Sequence, residues 1–428
     1  MTTFAIATLG CKVNTFESCG YQNALLKKGY EEVDFKDVAD IYIINTCAVT
    51  NIAASKSRTK IHQAKAKNPN ALICVVGCYA QVGYDYLMEH EQIDVLVGSE
   101  GKNQFVDLIE EALKGNKVKT TLHDVRASSV FEALPLNHFE HQTRAFLKIQ
   151  DGCNQFCSYC IIPYARGKER SMDEYEAIKV ANTLCEHGHK EIVLTGIHTG
   201  RYGNGNNTSL TKLLQRMINE VKGLERIRIS SIELNEITDD FLTLMKNNDK
   251  IAKHLHIPLQ AGCDSTLKNM NRPYDMEYFK KRVKAIKEYI PNISISTDII
   301  VGFPMESEED FMISKQNIEE IAFTFLHVFP YSAKQGTKAA KMKGQLTNVE
   351  KKKRVSALVE TSKRLYTNYK ETFIGKEVDV LFEKVKDGML IGHSSEYLEV
   401  MADLDPKYLN QIVKVTIERL NDDILIGR

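Results

Sequence analysis

Short apolar segments alternate with amphipathic stretches along the first 118 residues of the chain. Three of these segments, FAIATLGC, IYIINTC and LICVVGC, are rich in strand-forming residues and almost free of charge, and a fourth, IDVLVGSE, follows them. Apolar runs of this length are typical of parallel strands that are buried on both faces. The pattern therefore predicts that residues 1–118 form an open parallel α/β sheet.

The same alternation resumes after a polar, irregular segment at residues 119–138, which we predict to be a linker. Six candidate strands follow, with helical patterns between them, at residues 145–150, 191–196, 226–232, 254–259, 294–302 and 324–330. Consecutive βα units of this kind predict a partial (β/α)6 barrel over residues 139–370, with its sites in the loops after the strands. The fold class is α/β.

The last two regions of the chain have a different character. Residues 334–370 carry eleven Lys or Arg against two Glu, and they end in a pattern typical of one long basic helix. Residues 371–428 alternate over five short segments, which predicts a small antiparallel β-barrel. This barrel would carry seven Lys or Arg against twelve Asp or Glu.

Composition and the N-terminal residues indicate the compartment. The 56 Lys and Arg balance the 56 Asp and Glu, so the overall charge does not indicate a nucleic-acid partner. We find no signal-peptide pattern and no apolar run long enough for a membrane helix, which predicts a cytoplasmic protein without a membrane partner. We expect a monomer. In a reducing compartment, clustered cysteines favour metal binding or catalysis over disulfides.

Three cysteines lie close together in GCNQFCSYC, directly after the first predicted barrel strand: Cys153, Cys157 and Cys160. A closed zinc site would need a fourth ligand, which His198 or another distant residue could supply. An iron–sulfur cubane with three protein ligands instead leaves one iron open to an exogenous chelator, such as a free α-amino acid. The spacing alone allows both sites.

A second set of cysteines ends three successive strands of the predicted N-terminal sheet: Cys11, Cys47 and Cys78. The carboxyl ends of parallel strands share one edge of a sheet, and ligands bind there. We therefore expect these three thiols to converge in space, although each cysteine taken alone could be a small buried hydrophobe.

The C-x3-C-x2-C loop after the first strand of a βα barrel resembles the radical S-adenosylmethionine (SAM) superfamily. In that superfamily the open iron binds SAM, and electron transfer produces a 5′-deoxyadenosyl radical. LTGIHTG, IPLQAG and DIIVGFPMESEEDF resemble the motifs that contact SAM. The resemblance implies catalytic roles for the three loop cysteines and cofactor-binding roles for Thr195, Gly196, Gln260 and Gly302.

TLGCKVNTFES, NTCAVTNIAASKSRTKI, VVGCYAQ and NRPY extend the resemblance over essentially the whole chain, to the methylthiotransferase family. It implies a second [4Fe–4S] cluster on Cys11, Cys47 and Cys78, a TRAM-type RNA-binding tail, tRNA as partner and an external electron donor. TLGCKVN, CAVT and LTGIHTGRYG resemble the branch that methylthiolates C2 of N6-threonylcarbamoyladenosine at position 37 of tRNA. The alternatives are isopentenyladenosine, a ribosomal protein, and a non-enzyme iron–sulfur carrier or sensor that binds RNA.

Several other residues are candidates for contacts with the substrate. A threonylcarbamoyl group carries a carboxylate, so its pocket should contain a fixed cation, and Arg201 in HTGRYG is the candidate. Tyr164 and Arg166 follow the cysteine loop and could line the site. Phosphate contacts are predicted for the basic helix and for SKSRTKIHQAKAK, with a solvated helix face as the alternative for each. The candidate residues on the basic helix are Lys351, Lys352, Lys353 and Arg354.

Overall fold

The structure is a computed structural model, which describes residues 1–116, 122–140 and 142–428. Its first part is a parallel sheet of five strands in the order β2-β1-β3-β4-β5. The elements are β1 Thr3–Thr8, α1 Lys12–Lys27, β2 Glu31–Glu32, β3 Ile41–Thr46, α2 Asn51–Lys67, β4 Leu72–Gly77, α3 Cys78–Val82, α4 Tyr84–His90, β5 Val95–Val97 and α5 Phe105–Leu113. Ile41 and Ile43 pack into one hydrophobic cluster, and Tyr42 and Ile44 pack into another. The sheet is therefore buried on both faces, as predicted, and only the two-residue strand β2 was not predicted.

The central part contains six parallel strands with helices around them. The elements are β6 Ala145–Lys148, β7 Gln150–Asp151, α6 Ile162–Arg166, β8 Arg170–Ser171, α7 Glu174–Glu186, β9 Glu191–Thr195, α8 Leu210–Glu220, β10 Arg226–Ile229, α9 Asp239–Asn247, β11 His254–His256, α10 Asp264–Asn269, α11 Met276–Tyr289, β12 Ser294–Val301, α12 Glu308–Ile321 and β13 Phe325–Pro330. Strands β6, β9 and β10 form one parallel sheet, and β11, β12 and β13 form another. A parallel bridge between Ser231 and His256 joins the two sheets. The predicted partial (β/α)6 barrel is confirmed.

The two faces of strands β11, β12 and β13 differ in character. Leu255, Ile295 and Leu326 belong to the buried hydrophobic cluster beneath the surrounding helices. Because side chains alternate along a strand, the neighbouring residues face the inside of the barrel. We call this inner face the lumen; it comprises His254, His256, Ser296, Asp298, Phe325, His327 and Phe329. Unlike the outer face, the lumen is rich in polar and aromatic groups.

The chain ends in a long helix and a closed barrel of five strands in the order β14-β15-β16-β18-β17. The elements are α13 Asn348–Glu371, β14 Glu377–Lys386, β15 Met389–Ser394, β16 Glu399–Ala402, β17 Ile412–Asn421 and β18 Ile424–Gly427. The prediction of an antiparallel barrel needs one correction, because β16 and β18 pair in parallel. Strand directions cannot alternate all the way round a ring with an odd number of strands, so at least one pair must be parallel.

The predicted linker packs between the first sheet and the central barrel over its described residues. Leu134 and Leu136 are buried in the hydrophobic cluster that both regions share. The carboxylate of Glu132 accepts hydrogen bonds from the backbone N–H groups of Gly101 and Lys102, at 2.7 and 3.2 Å. Residues 117–121 and 141 lie outside the described residues, and they include the predicted end of the first region at 118 and the start of the predicted linker. The boundaries 1–118, 119–138, 139–370 and 371–428 stay predictions.

Within the described ranges, no helix has both the length and the apolar character needed to cross a bilayer.

Candidate functional site

The structure brings Cys11, Cys47 and Cys78 to one edge of the N-terminal sheet. Cys11 precedes α1, Cys47 follows β3, and Cys78 is the first residue of α3. Gly10 has a φ of 108°, and a Cβ added there would lie 2.9 Å from Cys47 Cβ and 3.0 Å from Cys47 Sγ. Glycine is therefore needed for the close approach of the two cysteine loops.

The surroundings of these thiols favour ligation of a positively charged centre. Cys11 is the N-cap residue of α1, so its thiol lies beside the backbone N–H groups of the first helical turn, which oppose the rise in its pKa that burial causes. Burial, with a smaller contribution from the other two thiols, raises the pKa of Cys47 to about 11. A bound iron would reverse this shift, because a coordinating thiol is deprotonated. Three thiols near each other and near a helix N-terminus fit an iron–sulfur cluster.

Arg166 links this first set of cysteines to the central barrel. Its fully buried guanidinium donates from Nε to Cys78 Sγ at 3.0 Å, and from Nη2 to Asn14 Oδ1 at 2.8 Å. Its Nη1 donates to Glu17 Oε1 at 2.7 Å and lies 3.2 Å from Asp151 Oδ2. Arg166 was predicted to line the site, but its position beneath Cys78 was not predicted.

Glu17 is the centre of a buried ionic network between the two regions. Besides Arg166, it accepts hydrogen bonds from Lys102 Nζ at 2.7 Å and Lys148 Nζ at 2.9 Å. Burial alone would raise the pKa of Glu17, but the charges of Arg166, Lys102 and Lys148 outweigh it and hold the pKa far below its usual range. The Glu17 carboxylate therefore stays ionised, and the network fixes the N-terminal sheet against the barrel beside Cys78.

The second set of cysteines lies in the loop between β7 and α6, and all three residues are partly exposed. Arg272 Nη1 donates to Cys157 Sγ at 3.4 Å, and the backbone N–H of Gln155 donates to Cys153 Sγ at 3.4 Å. Burial raises the pKa of the Cys160 thiol to about 12. Like the first set, this loop offers three thiols to a cluster and keeps them open on one side.

His198, the possible fourth ligand of a zinc site, does lie beside this loop. Its Nδ1 is 3.4 Å from Cys153 Sγ, and its Nε2 is 2.7 Å from Glu236 Oε1. Burial opposes the charge of the ring, but hydrogen bonds to Cys153, Glu169 and Glu236 outweigh it and raise its pKa to about 12. Nowhere in the described ranges are three His, Cys, Asp or Glu side chains close enough to hold one metal ion. A protonated imidazole cannot ligate zinc, so the loop is left with three thiols and no fourth protein ligand, which fits an iron–sulfur cluster with one open iron.

The predicted cofactor-binding residues lie at the carboxyl ends of barrel strands, at the same end as the cysteine loop. Thr195 is the buried last residue of β9, and Gly196 follows it. A Cβ on Gly196 would lie 3.0 Å from Gln150 Cβ, so a side chain there would press against β7, and glycine eases this approach. Gln260 lies after β11 and Gly302 directly after β12. Their positions suit a ligand in the loops, and their contacts with SAM stay predictions.

The predicted phosphate contacts on α13 divide into two groups. Arg354 is buried, and its Nη1 lies 2.7 Å from Glu306 Oε2. Lys351 packs against Gly302, and its ammonium lies 5.2 Å from the centre of the Tyr331 ring. Lys352 and Lys353 are exposed. The last two are therefore the most accessible of the four to an RNA phosphate, and contacts with RNA stay predictions.

Arg201, the candidate for carboxylate recognition, is partly exposed. Its Nε donates to Glu169 Oε2 at 3.3 Å, so its charge already has a partner in the structure.

Comparison with known proteins agrees with this geometry. Residues 147–316 match the model of the Radical SAM superfamily, and residues 3–98 match Uncharacterized protein family UPF0004. The radical SAM methyltransferase TsrM from Kitasatospora setae has a similar fold, with a TM-score of 0.57 and 13% identity, over 76% of this chain and 72% of that chain. The partial (β/α)6 barrel with its three-cysteine loop, together with this match, thus defines a radical SAM protein.

Full-length relatives define the family within this class. The chain is 41% identical over 423 residues to threonylcarbamoyladenosine tRNA methylthiotransferase MtaB of Bacillus subtilis, covering 97% of this chain and 94% of the relative. It is 36% identical over 435 residues to tRNA-2-methylthio-N(6)-dimethylallyladenosine synthase of Clostridium perfringens, covering 99% and 97%. The chain belongs to the tRNA methylthiotransferase family.

The two thiol sets lead to a prediction about metal content. After anaerobic reconstitution we expect about eight irons and as many sulfides per chain, because each set can hold one four-iron cluster. Elemental and sulfide analysis measures both. The Cys185→Ser variant is the matched control and should keep the full iron content, since Cys185 lies on α7 and belongs to neither set of thiols. One zinc per chain with negligible sulfide would contradict the assignment.

Proposed function

We propose that this protein adds a methylthio group to C2 of N6-threonylcarbamoyladenosine at position 37 of tRNA. The observation that carries the proposal is the pair of three-thiol sites, one on each side of the buried Arg166–Glu17–Asp151 network. A reaction that needs both a SAM-derived radical and a sulfur donor requires two such sites close together. The full-length similarity to a methylthiotransferase of the threonylcarbamoyladenosine branch supports the same substrate.

The roles of the residues follow from their positions. Cys153, Cys157 and Cys160 would hold a [4Fe–4S] cluster, which when bound supplies the electron that splits SAM. The residues at the strand ends, Thr195, Gly196, Gln260 and Gly302, would position SAM so that its 5′ carbon faces the adenine, while the barrel excludes water. Cys11, Cys47 and Cys78 would hold the second cluster and the sulfur to be transferred.

The proposed reaction replaces the C2–H bond of the adenine by a C2–S bond. The hydrogen leaves in 5′-deoxyadenosine, and methionine is released from the same SAM molecule. A second SAM molecule supplies the methyl group and leaves as S-adenosylhomocysteine. An external donor supplies the electron that splits SAM. Formation of the C2–S bond would return one electron, which the second cluster, when bound, would accept. The protein would act on tRNA as a cytoplasmic monomer.

The substrate can be tested with purified RNA. The reconstituted enzyme, SAM and dithionite are incubated with anticodon stem-loops that carry either threonylcarbamoyladenosine or isopentenyladenosine. Mass spectrometry of the digested nucleosides should then detect methylthiolation of the first RNA only. Product from the isopentenyl RNA alone would favour the activity named for the Clostridium perfringens relative. Formation of 5′-deoxyadenosine without any RNA product would refute both.

The exposed lysines of α13 lead to a prediction about tRNA binding. Charge reversal at Lys352 and Lys353 should weaken tRNA binding and make its salt dependence shallower, because each phosphate contact contributes about 0.9 to the slope of log K against log salt. Filter binding over a salt series measures both quantities. The same change at the exposed residues Lys179 and Lys284, on α7 and α11, is the matched control. Equal losses in both double variants would show that α13 makes no specific contact.

A further inference from the structure

The lumen has the composition of a ligand site rather than of a packed core. His254 Nε2 lies 3.1 Å and His256 Nδ1 lies 2.9 Å from Ser296 Oγ, and His256 Nε2 lies 3.2 Å from Asp298 Oδ2. Phe325 and Phe329 of β13 remain 36% and 44% exposed. Aromatic surface that remains accessible beside a few fixed polar groups is typical of a small-molecule or base pocket.

Lys12 extends from the N-terminal region to this lumen. It is the first residue of α1 and directly follows Cys11. It lies close enough to interact electrostatically with Arg228 on β10, with Arg144 before β6 and with Tyr397 in the C-terminal barrel. Glu191 at the start of β9 also acts on it, but that carboxylate is already paired with Arg226 and Arg228. Its charge also acts on His254 and His327 in the lumen. A partly buried ammonium from the N-terminal region therefore lies beside groups from both other regions.

Lys12 differs from the cations around it in having no carboxylate of its own at ion-pair distance. Arg228 Nε lies 2.7 Å from Glu191 Oε1, and Arg144 Nε lies 3.2 Å from Glu383 Oε1. The Lys12 side chain makes no ion pair or hydrogen bond with any residue that the structure describes.

A second polar group in the lumen, the ring of His254, also lacks a partner. His254 is only 8% exposed, and its Nδ1 has no hydrogen-bond partner in the described part of the chain. A partly buried cation without a partner and a buried ring nitrogen without a partner both cost free energy. An anionic ligand with hydrogen-bonding groups, bound in the lumen, would remove both costs.

We propose that Lys12 binds the carboxylate of the N6-threonylcarbamoyl group and thereby selects the modified adenosine. The proposal rests on the proposed function, because it identifies how that substrate is recognised. Arg201 is less suited, since Glu169 already neutralises it and it is partly exposed. An isopentenyl group carries no charge and would leave Lys12 unpaired. Because Lys12 adjoins Cys11, it would hold the base next to the site that carries the sulfur.

The test compares anticodon stem-loops that differ only at position 37, bound to the reconstituted holoenzyme. The loops carry threonylcarbamoyladenosine, its neutral carboxamide, or unmodified adenosine. The wild type should bind the carboxylate loop roughly tenfold or more tightly than the other two, as expected for a charge-assisted contact in a partly buried site. In Lys12→Gln this preference should disappear while the affinity for the unmodified loop stays the same. Lys12→Arg should keep part of the preference.

Controls separate the proposal from general effects. Lys284→Gln, which changes an exposed lysine on α11, should keep the full preference, and so should Arg201→Leu at the competing candidate. Iron analysis of each variant shows whether the adjacent Cys11 site still forms. The carboxamide loop tests the same point with the wild type, so the result does not depend on how well a Lys12 variant folds.

Four results would overturn the proposal. The first is a preference for the carboxylate loop that persists in Lys12→Gln, and the second is equal binding of the carboxylate and carboxamide loops by the wild type. The third is loss of the preference in Arg201→Leu. The fourth is a raised SAM requirement of Lys12→Gln in RNA-free cleavage, which would assign the Lys12 ammonium to SAM. If the wild type methylthiolates the threonylcarbamoyl loop in any of these cases, the proposed function stands and only the role of Lys12 fails. If the wild type methylthiolates only the isopentenyl loop, both fail.

Discussion

Replacement of Cys11, Cys47 and Cys78 by Ala is expected to abolish methylthio transfer while reductive cleavage of SAM continues. The first set of thiols and the loop set share no residue, and the loop set lies at the same end of the barrel as the predicted SAM contacts. The barrel should therefore stay folded and keep its own cluster. Iron should fall by about half, one four-iron cluster of two. Chromatography of 5′-deoxyadenosine and mass spectrometry of the RNA nucleosides measure the two activities separately.

The complementary variant is the control for this division of labour. Replacement of Cys153, Cys157 and Cys160 by Ala should also halve the iron, but it should abolish both SAM cleavage and methylthio transfer. The division would be refuted if the N-terminal triple variant still produced methylthiolated RNA. Reductive SAM cleavage by the barrel triple variant would refute it equally.

The parts of the fold that local patterns determine were predictable from the sequence. Strands β3 and β4 are continuous apolar runs, and each is followed by a cysteine, so a parallel sheet with thiols at one edge followed directly. The six strands of the partial barrel were likewise marked by apolar segments between helical patterns. Such signals extend over a few residues and do not depend on which distant segments come into contact.

The contacts that join the regions were not predictable in the same way. Arg166 and Glu17 are separated by 149 positions, and Lys148 and Glu17 by 131. Nothing in the local sequence of a charged residue shows whether it faces solvent or a partner in another region. For the same reason the position of Lys12 beside the lumen was not predicted, and neither was the burial of Arg354 in an ion pair on an otherwise basic helix.

Arg166 has a structural role and, with a cluster bound beside it, would have an electronic one. Its guanidinium pairs with two buried carboxylates, that of Glu17 in the N-terminal region and that of Asp151 in the barrel. It also donates a hydrogen bond to Cys78 Sγ. A planar fork can serve three acceptors at once, whereas a lysine ammonium cannot match that geometry. A hydrogen bond to a ligating sulfur raises the reduction potential of an iron–sulfur cluster, because it stabilises the more negative reduced state. The same residue would therefore hold the two regions together and tune the second cluster.

We expect Arg166→Gln to destabilise the protein by about 1–3 kcal/mol, since buried acceptors on Glu17 and Asp151 lose a donor while Lys102 and Lys148 still supply charge. The pKa of Glu17 in the wild type is held below its ordinary value of 4.5, so the stabilisation from its ionised form is fully present above that value. It is lost only as the pH falls through the much lower pKa of the folded state. In Arg166→Gln the pKa of Glu17 is lowered less, so the loss should begin at a higher pH. Urea unfolding at a series of pH values measures this shift.

The electronic role of Arg166 has a separate measurement. EPR-monitored redox titration of reconstituted Arg166→Gln should show a more negative potential for the cluster on Cys11, Cys47 and Cys78, and an unchanged potential for the loop cluster. Arg166→Lys keeps the positive charge but not the planar set of N–H donors. The stability of this variant and the potential of its N-terminal cluster should therefore fall between those of the wild type and Arg166→Gln. An unchanged potential in a variant that is clearly destabilised would limit Arg166 to the structural role. Equal shifts of both clusters would instead indicate a general change in the protein rather than the loss of one hydrogen bond to Cys78.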